Sequence, residues 1–264
     1  MKSSLFNIYL LSCMLLLSNC SANGPTKIVI STDFGDIELV LYDQTPQHRD
    51  NFIKLVKEGY YDGLLFHRVI KGFMIQGGDP KSKNAKPGER LGMGSPGYTV
   101  PAEFVPGFFH KRGAVAAART DNPEKASSGS QFYIVQGKIF TDEELNSLEV
   151  QFSNQMANQM FAQYLKEEEA AMQTAGKKIN TDSVYMRAAR RASAYIRANP
   201  FHISEELRQA YKTVGGTPSL DGAYTVFGEV VKGMDVVDRI VELETDNASR
   251  PKIDVRIKRM RVKY

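Results

Sequence analysis

Apolar and polar residues alternate along the first part of this chain after residue 26, which is the pattern of strands with one buried face. Residues 27–41 carry this alternation on both sides of Asp33-Phe34-Gly35-Asp36 and predict a hairpin. Further short strands are predicted at Val69–Gln76, Gly113–Arg119, Gln131–Gln136 and Tyr224–Val231, and a half-buried terminal strand around Ile253, Val255 and Ile257. Many short strands with few helices predict a mainly β fold, a closed antiparallel barrel.

A helix is predicted directly after the first hairpin. Thr45 can cap it, Pro46 suits its first turn and Gly59 can end it. A barrel flanked by helices is therefore expected.

Residues 141–214 have a different pattern and predict a helical insertion. No Gly or Pro occurs from Thr141 to Thr174, and Thr141 with Glu144 forms a capping-box pattern. Further helices are predicted at Ser183–Ala198 and Ser204–Thr213. Apolar residues recur every three or four positions in the first helix, which favours a seam between packed helices over a client-binding groove: Leu145, Leu148, Phe152, Met156, Met160 and Tyr164.

The first twenty residues predict export. Lys2 precedes an apolar run from Leu5 to Leu17, which is too short to span a bilayer and is typical of a secretory signal peptide. Leu17-Ser18-Asn19-Cys20 resembles a lipobox, so Cys20 is the candidate lipidation site, although Asn19 departs from the usual small residue. An ordinary signal cleaved nearby is the alternative. Residues 21–26 are a candidate tether.

The net charge of +4 does not predict a nucleic-acid partner, because the excess is local. Residues 250–264 contain seven Lys or Arg against one Asp, so the rest of the chain has a net charge of −2. Basic residues on a terminal strand commonly discourage edge pairing. Attraction to anionic lipid headgroups is the less favoured alternative.

Three kinds of site are not supported by the residue spacing. Gly92-Met93-Gly94-Ser95-Pro96-Gly97 matches a dinucleotide-binding pattern, but the extended residues after it exclude the required helix. The four histidines lie far apart, so no metal site is expected. Ser127, Ser128 and Ser130 lack the context of a serine hydrolase. His67 is expected to be a hydrogen-bonded structural residue.

Residues 66–80 are the most informative segment, and they suggest catalysis without covalent chemistry or a cofactor. They combine Arg68, which is permanently charged, with apolar Phe73 and Met74 and the amide of Gln76.

The chain resembles the cyclophilin family of peptidyl-prolyl cis-trans isomerases. Three segments carry the resemblance: Phe66-His67-Arg68 with residues 72–79, Ser128-Gly129-Ser130-Gln131-Phe132-Tyr133-Ile134, and residues 220–228. It covers residues 27–140 and 215–264, and it implies an eight-stranded barrel. The leader and residues 141–214 lie outside it.

The resemblance also implies the roles of individual residues. Arg68 is the expected catalytic residue, and Gln76 and Gln131 are expected to hold the substrate backbone. Phe73, Met74, Tyr133, Leu220 and Tyr224 are expected to wall the proline pocket, and Ala118 and Arg119 to line the neighbouring groove. Tyr133, Ser219 and Tyr224 stand where the family commonly has Phe, Trp and His, and the absence of an indole at Ser219 puts tight binding of cyclosporin-type ligands in doubt.

Two functional hypotheses follow. The first is an exported, lipid-anchored prolyl isomerase in the bacterial periplasm that acts on proline-containing peptides and on exported proteins as they fold. The second is a non-catalytic chaperone or scaffold that docks prolines in the pocket and binds clients through the insertion. Removing residues 141–214 is expected to spare peptide isomerisation under the first hypothesis.

Overall fold

The structure is a computed structural model that describes residues 24–176 and 180–263. The strands are β1 (Lys27–Thr32), β2 (Gly35–Leu41), β3 (Arg68–Ile70), β4 (Met74–Gly77), β5 (Thr99–Val100), β6 (Ala114–Ala117), β7 (Ser127–Ser128), β8 (Phe132–Val135), β9 (Val226–Lys232) and β10 (Ile257–Lys263). The α-helices are α1 (Pro46–Lys57), α2 (Asp142–Thr174), α3 (Thr181–Ala198), α4 (Glu205–Thr213) and α5 (Met234–Val241).

Eight of the strands form one antiparallel sheet in the order β10-β1-β2-β9-β6-β8-β4-β3. The eight-stranded antiparallel architecture flanked by helices is confirmed. The prediction of a closed barrel overstates the curvature, because the sheet curls through 218° as a half-barrel. A bridge between Leu65 and Arg256 links its two edges outside the strands.

The concave side of the sheet holds the core because alternate strand residues point to it. Ile28 and Ile30 of β1 and Ile37 and Leu39 of β2 are fully buried there, and full burial of each such side chain stabilises the fold by about 1.5–3 kcal/mol. Helices α1 and α5 cover this core, and Phe52 of α1 lies within it.

The predicted strand Val69–Gln76 is wrong, since the chain turns back within it. Gly72 adopts a left-handed φ of +72° and separates β3 from β4. A glycine takes this conformation without steric cost. The resulting hairpin places Arg68 directly opposite Gln76. The terminal strand also begins later than predicted, and Ile253 is 66% exposed.

The N-terminus of α1 is capped from a distance rather than by Thr45, whose side chain makes no bond to the helix. Glu103 accepts hydrogen bonds from the backbone N–H groups of Gln47 (3.1 Å) and His48 (2.9 Å).

The His48 ring lies between Glu103 (2.6 Å) and the Ser127 hydroxyl (2.9 Å). This row resembles a hydrolase triad, but Ser127 is only 1% exposed and cannot reach a substrate. It joins α1 to the two-stranded sheet of β5 and β7.

Helices α2, α3 and α4 lie within residues 141–214, as the sequence pattern predicts. Thr141 and Glu144 form the predicted capping box at the start of α2. Helix α3 returns along α2, held by ion pairs from Arg187 and Arg191 to Glu168. The apolar stripe of α2 is half-buried along this seam. In the described ranges, no helix is both long and apolar enough to cross a bilayer.

The base of the insertion packs against the barrel. Three residues are buried in one apolar cluster: Leu145 of α2, Ile203 just before α4, and Tyr211 of α4. Phe109, from the segment before β6, lies edge-on to Tyr211 with ring centroids 5.6 Å apart. Helix α4 is therefore part of the barrel surface, whereas α2 and α3 extend from it.

Candidate active site

Arg68 lies at the start of β3 and is half-buried. Its Nη1 donates a hydrogen bond to Gln76 Oε1 at 3.3 Å, and its Cζ lies 5.9 Å from the centre of the Phe73 ring. Within the part of the chain that the structure describes, no carboxylate lies within 4.0 Å of this guanidinium. Its charge is therefore available to a bound molecule.

A cavity of about 120 Å³ lies beside Arg68. Met74 and Tyr133 reach it from β4 and β8, while Leu220 and Tyr224 reach it from the loop before β9. The residues that line it are Arg68, Phe73, Met74, Gln76, Ala118, Arg119, Tyr133, Leu220 and Tyr224. Every lining residue is one that the resemblance implies for the site. Gln131, the other predicted residue, lines an adjoining groove of about 150 Å³ together with Gln76, Ala118 and Arg119.

The two glutamine amides have a fixed orientation. Gln131 Nε2 donates to the carbonyl oxygens of Gly92 (3.0 Å) and Gly94 (2.7 Å), so its Oε1 faces the other way. Gln76 Nε2 donates to that Oε1 at 3.0 Å, which leaves Gln76 Oε1 for Arg68. A single chain of hydrogen bonds therefore runs from the glycine loop to the guanidinium.

The glycine loop is held by Asp79, which is fully buried. One carboxylate oxygen accepts from the N–H groups of Gly92 (2.5 Å) and Gly94 (3.2 Å), and the other from Lys81 N–H (2.8 Å). A Cβ at Gly94 would lie 1.9 Å from Asp79, so only glycine fits there. The Gly-x-Gly spacing that resembled a nucleotide motif thus serves close approach to a carboxylate. Asp79 was not predicted as a site residue, although it lies within the most informative segment.

The aromatic walls of the cavity are held in place by neighbouring polar and charged residues. The Tyr133 hydroxyl bonds His110 Nε2 at 2.9 Å, and burial raises the pKa of this phenol well above its usual value. The Arg119 guanidinium lies over the Tyr224 ring at 4.9 Å and donates to the Ala223 carbonyl. Ser219 is exposed and does not line the cavity. His110 was missed as a supporting residue, because its sequence neighbours give no sign of this contact.

His67 differs from its expected hydrogen-bonded state. Its side chain is buried, and neither ring nitrogen has a hydrogen-bond partner in the described residues. Burial lowers its pKa to about 4. With Arg68 it lines a wide cleft of about 1030 Å³ next to the small cavity.

Among residues 24–176 and 180–263, no three His, Cys, Asp or Glu side chains are grouped as a metal site would require.

Comparison with known sequences identifies the family. The profile of cyclophilin type peptidyl-prolyl cis-trans isomerases matches residues 27–186 and 201–262. A Streptococcus pyogenes protein described as a bifunctional phosphatase/peptidyl-prolyl cis-trans isomerase is 33% identical over 90% of this chain, which spans 39% of that relative. A Staphylococcus saprophyticus protein described as a peptidyl-prolyl cis-trans isomerase is 28% identical, and the match covers 90% of this chain and 93% of that relative.

Solved structures share the fold. A cyclophilin type isomerase from Cryptosporidium parvum superimposes with a TM-score of 0.54 at 20% identity, over 91% of this chain and 99% of its own. The same protein in the presence of the dipeptide Ala-Pro gives a TM-score of 0.52 at 20% identity, over 90% and 99%. With a family profile that matches most of its length, the chain belongs to the cyclophilin-type peptidyl-prolyl cis-trans isomerases.

Proposed function

We propose that this chain accelerates rotation about X-Pro bonds in the cavity beside Arg68. The observation that carries the proposal is a guanidinium, free of any carboxylate in the described ranges, at the edge of a cavity with apolar and aromatic walls. The substrate class is proline-containing peptides and protein segments. Support for this class comes from the family and from the related structure obtained in the presence of Ala-Pro.

The chemistry follows from amide resonance. Rotation of an X-Pro bond breaks this resonance, which sets a barrier of about 18–20 kcal/mol. Midway through the rotation the proline nitrogen becomes pyramidal and gains a lone pair. Arg68 would donate a hydrogen bond to that lone pair, and this bond is absent in both planar isomers. An interaction made only in the transition state is what accelerates a reaction.

The magnitudes require more than Arg68. An enzyme turning over about 100 times per second needs roughly a 10³- to 10⁴-fold acceleration, or about 4–6 kcal/mol. One hydrogen bond from a charged donor contributes about 1.5–3 kcal/mol. The remainder is assigned to desolvation by the cavity walls and to Gln76 and Gln131, which hold the backbone on one side of the rotating bond.

We assign the clients to proteins exported to the bacterial envelope, with this chain anchored there through an acylated Cys20. The leader and its lipobox-like end support this assignment. Both lie outside the described residues. Replacement Cys20→Ala is expected to release the protein from the membrane fraction, and unchanged membrane association would count against acylation.

The catalytic assignment is tested with Arg68→Ala in a chymotrypsin-coupled assay on a proline peptide. We expect kcat/KM to fall at least about tenfold, which corresponds to about 1.4 kcal/mol, while circular dichroism shows a folded domain. Arg261→Ala, at an exposed position on β10, is the matched control and is expected to keep full activity. Equal rates for Arg68→Ala and wild type would overturn the role of Arg68. A wild-type protein that binds the peptide without turnover would favour the non-catalytic alternative.

A further inference from the structure

One hydrogen-bonded row connects the wall of the proline pocket to the helical insertion. The Tyr133 hydroxyl lies 2.9 Å from His110 Nε2, and His110 Nδ1 lies 2.8 Å from Asp221 Oδ1. The other carboxylate oxygen of Asp221 accepts from the Tyr211 hydroxyl at 2.5 Å. Tyr211 belongs to α4, so a residue of the insertion ends a row that begins in the pocket.

The row has a defined direction. Asp221 Oδ1 also accepts from the backbone N–H of His110 at 2.9 Å. An ionised carboxylate can only accept, so Nδ1 carries the hydrogen that points to it. In the neutral ring Nε2 is then an acceptor, and Tyr133 must donate to it. The hydroxyl hydrogen of the pocket wall therefore points away from the cavity.

This direction matters because the cavity is proposed to take the apolar proline ring. A buried hydroxyl without a partner costs free energy, and one turned toward the cavity would favour water over proline. The His110 ring also lies nearly parallel to the Tyr133 ring, at 6.0 Å and 14°. Asp221 directly follows Leu220, another wall residue. Holding Asp221 in place thus fixes two walls of the pocket.

Tyr211 is placed to hold Asp221. Its side chain is fully buried, with Phe109 and Phe140 edge-on to its ring at 5.6 and 6.2 Å. By contrast, the Asp221 side chain is 26% exposed. Without the Tyr211 hydroxyl, Oδ2 of Asp221 loses this fixed donor, and the carboxylate is freer to turn toward solvent.

We infer that Tyr211 of the insertion is a positioning residue for the proline pocket, acting through Asp221 and His110 on the Tyr133 wall. The inference rests on the proposed isomerase function. The wall touches the proline ring in the ground state and in the transition state, so displacing it should weaken binding of both. Uniform loss of binding raises KM and leaves kcat nearly unchanged.

The test is a double-mutant cycle with Tyr211→Phe and Tyr133→Phe in the full chain. Tyr211→Phe is expected to lower kcat/KM about three- to tenfold, mainly through KM, with no further loss when Tyr133 is already Phe. Tyr185→Phe, at a half-exposed position on α3, is the control and should leave both parameters unchanged. Full activity of Tyr211→Phe would overturn the inference. So would equal losses in both backgrounds, or a fall in kcat alone, which is the sign of less folded enzyme.

A second readout does not depend on turnover. Long-range ¹H–¹⁵N spectra of labelled protein should show His110 with the hydrogen on Nδ1 in the wild type and a mixture of tautomers in Tyr211→Phe. An unchanged tautomer in Tyr211→Phe would overturn the inference even if activity falls. Absence of isomerisation in the wild type, with the tautomer change still present, would instead refute the proposed function and leave the row intact.

Discussion

The orientation of the Gln131 amide can be tested by a substitution that keeps its shape and removes its donors. In Gln131→Glu a carboxylate oxygen replaces the Nε2 that now donates to the Gly92 and Gly94 carbonyls at 3.0 and 2.7 Å. Three acceptors would then face one another without a hydrogen between them. The position is only 6% exposed, so water cannot replace the missing donor.

The expected cost is large for a change of one atom. Two lost hydrogen bonds are worth about 0.5–1.5 kcal/mol each, and burial of a carboxylate against unsatisfied acceptors adds about 1–3 kcal/mol. The free energy of unfolding at pH 7 should therefore fall by about 2–6 kcal/mol. Protonation of the new carboxyl would supply one donor, so the loss should become smaller as the pH is lowered.

Urea unfolding followed by circular dichroism measures this loss, since the chain has no tryptophan to serve as a fluorescence probe. Gln155→Glu, at an exposed position on α2, is the matched control and should change the unfolding free energy by less than about 0.5 kcal/mol. If Gln131→Glu unfolds at the same urea concentration as the control, Gln131 does not donate to the glycine carbonyls. The orientation derived for Gln76 and Arg68 would then be wrong as well.

Two further predictions concern acid stability and the insertion. Burial lowers the pKa of His67 from 6.5 to about 4, so folding favours the neutral imidazole. The resulting contribution to the unfolding free energy is complete above pH 6.5 and is lost as the pH falls toward 4. It amounts to about 3 kcal/mol in total. His67→Gln should flatten the pH dependence of the unfolding free energy between pH 7 and 4.5. The control is His202→Gln, which should leave this dependence unchanged because the His202 side chain is 71% exposed. Equal slopes in His67→Gln and wild type would refute the assignment. Replacing residues 150–199 with a Gly/Ser linker should leave peptide isomerisation intact and slow proline-limited refolding of a protein client, whereas equal refolding rates would argue against a client role for α2 and α3.

A long helix with regularly spaced apolar residues is the kind of element that the sequence predicts best. Helix α2 was found within one residue, because 33 residues of regular spacing and a capping box leave little alternative. The β3–β4 hairpin was read as one strand, since its strands have three and four residues and carry too little alternation to show a turn. The cap of α1 was misassigned because Glu103 is distant in sequence from the helix it caps.

The candidate site was predicted only in part for a related reason. Its lining residues come from four separated segments, and the resemblance to cyclophilins, not spacing, brought them together. Hydrogen-bond direction was beyond such reasoning, because the donors and acceptors that orient Gln76 and Gln131 include backbone atoms of Gly92 and Gly94. The lack of a partner for His67 could not be foreseen either, as burial and bonding depend on the packed fold.

Tyr133 and Tyr211 lie in one hydrogen-bonded row, and this leads to a last prediction. The buried Tyr133 hydroxyl bonds His110, and His110 bonds Asp221. Tyr211 of α4 holds Asp221 through its own hydroxyl. Removing residues 141–214 would leave the Tyr133 hydroxyl with a poorly held partner, so we expect peptide kcat/KM to fall, in contrast to the expectation from sequence alone.

If that explanation is correct, Tyr133→Phe should restore part of the activity lost in the deletion. The substitution removes the hydroxyl that needs a fixed partner and keeps the aromatic wall. The comparison is kcat/KM on one proline peptide for the deletion with and without Tyr133→Phe, with Tyr224→Phe in the deletion as the control for a hydroxyl outside the row. A further loss on Tyr133→Phe, or an equal gain from Tyr224→Phe, would show that the insertion supports the pocket by some route other than this row.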